Sequence, residues 1–466
     1  MTLTSGTSHK AAEKTTTLRR AAQLRSFTTR LPAEALPDLV RAGGAPDRWL
    51  WKTTDLALLG VGEALRIPLG GDAGPDDSAD GAGWTASSNA TFVANVLQSL
   101  QVGDDPAPAT GPVAMGALPY DPGRPGHLSI PSLLLASDNA SIWATRLFDA
   151  SSTMPGDQAG RAIEAEVRDL ANGADVGELP DRFELLASMP HGEWKRLVKR
   201  AVRDMERGGL DKVVVARKVD ISANRPFVVA EVLARLSYLY PSCTIFHVEG
   251  FLGASPETLL RKLGDEVVST PLAGTVARSG DDATDKALLA GLMASAKDRR
   301  EHGLVVDAIA AELAPLCRKL DVPAEPSVLA LRNVSHLATH ISGQLRPQSV
   351  GQGPGSAVGG DGLPSALQLA ALLHPTPAVG GHPTEAALDW QRSYEGFDRG
   401  RYAGPVGWVD RHGNGDWALG LRSATIRGAT AALYAGNGIV PGSDPDAELG
   451  ETQLKLQALL AAMVRP

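Results

Sequence analysis

Cysteine is scarce in this chain, with Cys243 and Cys317 the two among 466 residues. They lie far apart and in no CxxC spacing, which excludes a disulfide framework and a cysteine zinc site and fits a reducing compartment such as the cytoplasm. Aromatic residues are few, 5% of the chain, and no basic block interleaves with them. That pattern excludes a nucleic-acid surface. Long apolar runs are also missing. No stretch reaches the roughly 18 residues that a membrane helix needs. Residues 1–30 are rich in Ser, Thr, Lys and Arg and lack the apolar centre of a secretory signal. They read as a flexible N-terminal tail running into a helix, with a transit peptide as the alternative. Charge blocks of one sign are absent as well: 45 Lys+Arg and 53 Asp+Glu are scattered, for a net charge of -8. Such a protein binds an anion only where a site concentrates positive charge.

What is present is ample apolar material, 43% of the residues, enough for one large domain or two ordinary ones. Turn residues cluster in three stretches, Gly70 to Gly83, Gly103 to Gly126 and Val350 to Pro364, which read as loops. The third interrupts a regular C-terminal region and reads as a surface insertion. Residues 31–190 carry weak patterns, and residues 191–466 carry sharp ones. Helical spacing spans Glu193 to Glu206, Ala283 to Lys319 (as one helix or two) and Glu448 to Val464. Strand patterns occupy Val213 to Val219, Ser242 to Glu249, Glu266 to Ser269, Val406 to Asp410, Trp417 to Ile426 and Ala431 to Tyr434. Both element types are abundant without regular βαβ alternation, which favours an α+β architecture.

Several constellations carry chemical potential. Asp298 and Glu301 stand three apart in the long helix, and Glu448 and Glu451 repeat that spacing in the last one. Residues three apart share a helix face. Two such pairs facing each other would offer the hard oxygen ligands that Mg²⁺ prefers. Spacing alone favours the plainer reading of solvated acids. Lys212 opens a strand and shares a face with Val214 and Ala216. An apolar face strips a lysine of hydration and disfavours its charged form, whereas a strand-end lysine ordinarily reaches solvent. Glu257 follows a Gly-Ala-Ser-Pro turn, as a functional acid or as a helix cap. Thr270 to Thr275 and Tyr434 to Val440 read as glycine-rich turns whose N–H groups could approach an anion. Arg422 reads as a strand arginine able to grip a carboxylate with two N–H groups.

The ordered segments Lys212-Val-Val-Val-Ala-Arg217, Gly253-Ala-Ser-Pro-Glu257, Pro271-Leu-Ala-Gly-Thr275, Lys297-Asp-Arg-Arg-Glu-His302, His336-Leu-Ala-Thr339, His374-Pro-Thr-Pro-Ala378, Gly413-Asn-Gly-Asp-Trp417, Ala435-Gly-Asn-Gly-Ile-Val440 and Glu448-Leu-Gly-Glu451 together resemble the chorismate-utilising enzymes. Within them the likeness is to the isochorismate synthases, and residues 1–190 match weakly. The resemblance implies a single large α+β domain of two stacked antiparallel β-sheets wrapped by helices. It implies that Lys212 activates water for attack at ring carbon 2 of chorismate, and that Glu257 protonates the departing 4-hydroxyl. Glu301 and Glu451 would carry Mg²⁺ directly, with Asp298 and Glu448 acting through water. Arg422 and Tyr402 would secure the second carboxylate, helped by the backbone of Gly436 and Gly438. Lys455 would stand near the substrate, and Gly274, Thr275, His336 and Ala378 would line the pocket. The acid–base pair requires opposite shifts, lysine down and glutamate up.

Among siblings, the resemblance separates this chain from anthranilate synthases, which usually lack the lysine at 212. Aminodeoxychorismate synthases place a nucleophilic lysine where Ala273 stands. Both need a glutaminase, for which the sequence offers no candidate; a monomer without glutaminase subunit, nucleic acid or membrane partner is expected. Salicylate synthases keep the lysine and tend to carry threonine at the position of Ala378, and they are the alternative reading. A non-catalytic chorismate-binding regulatory protein is the alternative of another class, against which stands the retention of base, acid and metal ligands. Isochorismate feeds menaquinone, siderophore and salicylate pathways, and the strand after Lys212 leans towards menaquinone. Two departures from the family pattern are Asn437, where a small residue is common, and Gly380, where serine or alanine is frequent.

Overall fold

Strand-forming runs such as Val213-Val-Val215 are β-branched and bury both faces, which suits the interior of a large sheet. The computed structural model describes residues 5–32, 37–70, 83–85, 87–103, 108–138, 140–152, 154–172, 177–348 and 362–464. Two antiparallel halves fan out from a single bridge, Met115 opposite Ser129. The first half runs in space through Gly126–Asp138, Leu56–Leu69, Arg48–Lys52, Thr244–Val248, Phe251–Ser255, Ser423–Arg427, Thr430–Ile439 and Lys212–Ala223. The second runs through Val113–Ala117, Pro405–Asp410, Gly415–Leu419, Thr258–Leu263, Glu266–Thr270, Ile341–Leu345 and Cys317–Asp321.

The halves stack on one core. Trp51, Phe246 and Phe251 of the first meet Met115, Trp408 and Ala418 of the second. Each large apolar side chain so buried contributes roughly 1.5–3 kcal/mol. Helices cover the outer faces: Val232, Leu236, Leu456 and Leu459 close the first half, and Val305, Ile309, Leu367 and Ala370 close the second. The architecture is one α+β domain of two stacked sheets wrapped by helices, as the resemblance implied. Among the described residues no helix is long and apolar enough to cross a membrane.

Six elements build the site: β1 (Lys212–Ala223), β2 (Leu272–Ala277), α1 (Ala296–Leu313), β3 (Val334–Ala338), β4 (Thr430–Ile439) and α2 (Pro445–Met463). β1 and β4 pair antiparallel, with Val214 opposite Gly438 and Ala216 opposite Gly436. β2 pairs with β3 in a separate small sheet. Ser295 caps α1 by accepting from the Asp298 N–H, and Asp444 caps α2 ahead of Pro445. Those caps set where each helix starts, and so which face carries the acids.

The structure departs from the sequence reading at five places. Residues 5–30 are not a tail: a helix spans Ser5–Ala22, and Leu24–Arg30 pairs along its length with Ile142–Asp149. Alternation in that strand is blurred by polar Ser, Thr and Arg, although Ser26 is buried. The predicted loop from Gly103 to Gly126 contains the central strand Val113–Ala117. The glycine-rich segment Tyr434 to Val440 is not a turn, because its glycines lie within β4 almost to its end. Arg422 is not in a strand. It occupies the turn between Gly415–Leu419 and Ser423–Arg427 with φ 47°. Ala283 to Lys319 resolves into Asp282–Ala294 and α1, its end already in the strand Cys317–Asp321. The predicted loops at 71–82 and 350–361 lie outside the described residues.

Candidate active site

All the residues singled out in the sequence border one cleft except Lys212, Asp298 and Glu448. The cleft holds about 710 Å³ of unfilled space, part of it continuous with solvent. Its floor is the glycine-bearing end of β4 beside β1. Its walls are β2, β3, α1 and α2.

Lys212 lies beneath this floor with no exposed surface. The strand pattern left open a snorkelling lysine; the structure excludes it. The Lys212 Nζ is 3.0 Å from Glu301 Oε1, yet it lacks a well-directed hydrogen-bond acceptor. This pair is possible because β4 carries Gly438 opposite Val214. A Cβ at 438 would fall on Glu301 Oε1 and within 2.7 Å of Lys212 Cε. The side chain of Glu301, on α1, thus crosses to β1 through the gap that glycine leaves.

Glu257 sits in the two-residue link between Phe251–Ser255 and Thr258–Leu263, so it caps no helix. Burial pushes its carboxyl up to about 7, against the Leu272 N–H and the charges of Lys212 and Lys455. A carboxyl so placed retains a proton near neutrality and can donate it.

Gly274 produces a bulge between Ala273 and Thr275, with φ 67°. A Cβ there would stand 3.1 Å from Asp298 Cβ, so the bulge brings α1 against β2. Thr275 faces His336 across the ladder. Arg422 Nη2 is 3.0 Å from His336 Nε2. A guanidinium only donates, so Nε2 accepts and Nδ1 carries the hydrogen, which it directs at Gly274 O 3.2 Å away. Burial, then Arg422 and Lys455, hold His336 well below the ordinary imidazole range. It is a neutral strut that orients Arg422. The Arg422 side chain is buried, and no carboxylate among the described residues lies within ion-pair distance. A buried guanidinium lacking a counter-ion is a receptor for a carboxylate.

The acids of α2 are held by lysines. Glu448 Oε1 accepts from Lys297 at 2.7 Å, and Glu451 Oε1 is 2.8 Å from Lys455. Burial and the nearby Glu451 raise the Glu448 carboxyl despite Lys297. Lys455 offsets the burial of Glu451 and keeps that carboxyl low. Glu448 and Asp298 stand behind the lining, beside Lys297 and Gly274 respectively. Among the described residues, no three His, Cys, Asp or Glu side chains meet at metal-ligand spacing. The donor set nonetheless suits a hard cation: carboxylates from two helices converge, and the Lys297 ammonium is stabilised by Glu448, Glu301 and Asp298 together.

Arg399 and Tyr434 border the cleft without having been foreseen. Arg399 is buried, pairs with Glu395, and donates to Val214 O at 2.8 Å and Val379 O at 2.9 Å. It fastens β1 to the segment bearing Ala378. The opposite charges four apart, Glu395 and Arg399, were the available signal. The Tyr434 ring stacks on Tyr402, with centroids 5.0 Å apart.

The comparisons agree with this geometry. The family model described as chorismate binding enzyme matches residues 11–464. Isochorismate synthase EntC of Escherichia coli is 34% identical over 355 residues, covering 75% of this chain and 80% of that protein. Isochorismate synthase DhbC of Bacillus subtilis is 39% identical over 282 residues, 58% of this chain and 67% of that one. The solved structure of MenF, the menaquinone-specific isochorismate synthase of Escherichia coli, superposes with a TM-score of 0.73 at 26% identity, covering 98% of this chain and 100% of that one. With the match running almost from end to end, and the ordered motifs meeting in one cleft, the chain belongs to the chorismate binding enzyme family.

Proposed function

We propose that this protein is an isochorismate synthase, an isomerase that moves the chorismate hydroxyl from C4 to C2. The observation that carries the reading is a fully buried lysine beneath the floor of one cleft and a buried glutamic acid at its edge, whose carboxyl burial pushes up to about 7. Lys212 takes a proton from water as the water oxygen bonds to C2. The ring double bonds shift, the C4–O bond breaks, and Glu257 gives its proton to the leaving hydroxyl. One water enters and one leaves, so the step balances. Arg422, braced by His336, and Tyr402 hold the carboxylate remote from the acidic helices. Arg399 and Gly438 keep β1 and Glu301 in register.

The converging carboxylates fit Mg²⁺ as cofactor, held by Glu301 and Glu451 with Asp298 and Glu448 behind them. When bound, the ion supplies the positive charge that the ring carboxylate needs in a net acidic protein. The salicylate synthase alternative is disfavoured by Ala378, which presents a methyl group at the cleft wall. The product would serve menaquinone or siderophore biosynthesis in the cytoplasm, with the enzyme acting as a monomer and without a glutaminase.

Purified protein given chorismate and Mg²⁺ is expected to form isochorismate as its main product, followed by chromatography. Salicylate plus pyruvate would instead establish the alternative, and no consumption of chorismate would leave a binding protein. Gly438→Ala is expected to lower turnover by about 100-fold, the cost of a shift near 1 Å in a reacting group. Steady-state kinetics with a melting curve checks this, since an unchanged rate would show that Glu301 need not cross beside Gly438.

A further inference from the structure

Asn437 lies between the two glycines of β4, and its side chain points the other way. Gly436 and Gly438 border the cleft, whereas Asn437 is buried against α2 with 1% of its surface exposed. Its amide group is fully used. Nδ2 donates to the Glu448 backbone carbonyl at 2.8 Å and to Glu448 Oε2 at 3.0 Å. Oδ1 accepts from Lys455 Nζ at 2.8 Å. The same ammonium also reaches Gly436 O at 2.9 Å and Glu451 Oε1 at 2.8 Å. One side chain therefore joins an acid and a base that stand two helical turns apart on α2.

We propose that Asn437 is a positioning residue that sets the affinity of the acidic site for a divalent cation, by locking the Glu448 carboxylate and the Lys455 ammonium in fixed orientations. Glu448 has several rotatable bonds, and its carboxyl is otherwise held by Lys297 and by a hydrogen bond from the Ser443 side chain. With Oε2 held by Asn437, Oε1 is directed at the position now filled by Lys297. Lys455 is held beside Glu451 at the cleft in the same way. Partners that orient ligands in this manner are commonly worth 10–100-fold in affinity. A small residue at 437 could make none of these bonds. The inference rests on the Mg²⁺ reading given above.

The test is calorimetric titration of MgCl₂ into the full-length protein without chorismate, for wild type, Asn437→Ala and Asn437→Leu. Leucine keeps the branched four-atom skeleton of asparagine and loses its hydrogen bonds; alanine loses both. Both variants are expected to bind Mg²⁺ about tenfold more weakly. At saturating Mg²⁺, kcat should stay within about threefold of wild type while the KM for chorismate rises, because Lys455 loses an anchor. Melting curves without Mg²⁺ verify folding, and either variant that folds decides the matter. Equal Mg²⁺ affinity in wild type and a folded variant would overturn this inference alone. Failure of the wild type itself to take up Mg²⁺ would overturn the metal reading and this inference with it.

Discussion

Lys212→Ala is expected to lower kcat for chorismate by about 10²–10⁴-fold, the range that a positioned general base supplies, while chorismate binding changes little. The side chain lies under the cleft floor rather than in its wall, so it contributes little contact area to a bound substrate. Turnover and affinity should therefore separate, which calorimetric binding beside steady-state kinetics will show. Normal kcat with lost binding would contradict the role of base. The substitution also removes the partner 3.0 Å from Glu301. Truncating a fully buried side chain also leaves a cavity, so a lower melting temperature is expected too. Kinetics must be measured well below it.

Glu257→Gln is expected to produce a loss of similar size, about 10²–10⁴-fold, because glutamine cannot give a proton to the departing hydroxyl. The pH dependence makes the prediction specific. Burial holds the Glu257 carboxyl at about 7, so the donor form is present below that pH and is lost above it. In wild type, kcat/KM should fall as pH rises through about 7. The residual rate of Glu257→Gln should lack that fall. Stability should also fall with rising pH. A carboxyl raised in the fold resists ionisation that the unfolded chain undergoes freely, so wild-type stability declines as pH rises from the unfolded value towards about 7. The glutamine variant escapes this penalty and should melt no lower than wild type above neutrality. A variant that is inactive because it is unfolded would violate that expectation.

The strands and helices of residues 191–466 were legible because their patterns are local. Val213-Val-Val215 is strand-forming wherever it is placed, and the spacing of Asp298 to Glu301 and of Glu448 to Glu451 puts each pair on one helix face. The order of motifs also identified the family. The N-terminal region was less legible, since Leu24–Arg30 is a strand of polar residues that pairs with residues more than a hundred positions away. Turn composition misled at Tyr434 to Val440, where the glycines serve close packing inside β4 rather than a change of direction.

What the sequence determined by itself was the set of candidate groups and the elements that carry them: a strand lysine, a glutamate after a turn, and two acidic helix faces. Only the tertiary structure decided which charges meet. Glu301 finds Lys212 because β1 and β4 pair in the register that sets Gly438 opposite Val214. Glu448 is shared by Lys297 and Asn437, and Arg422 is left without a carboxylate partner among the described residues. Such pairings depend on strand register and helix docking between distant segments, and side-chain periodicity along one element carries no information about either. The two acidic helices read in isolation were most plainly solvated; packed against β2 and β4, they become the buried wall of the cleft.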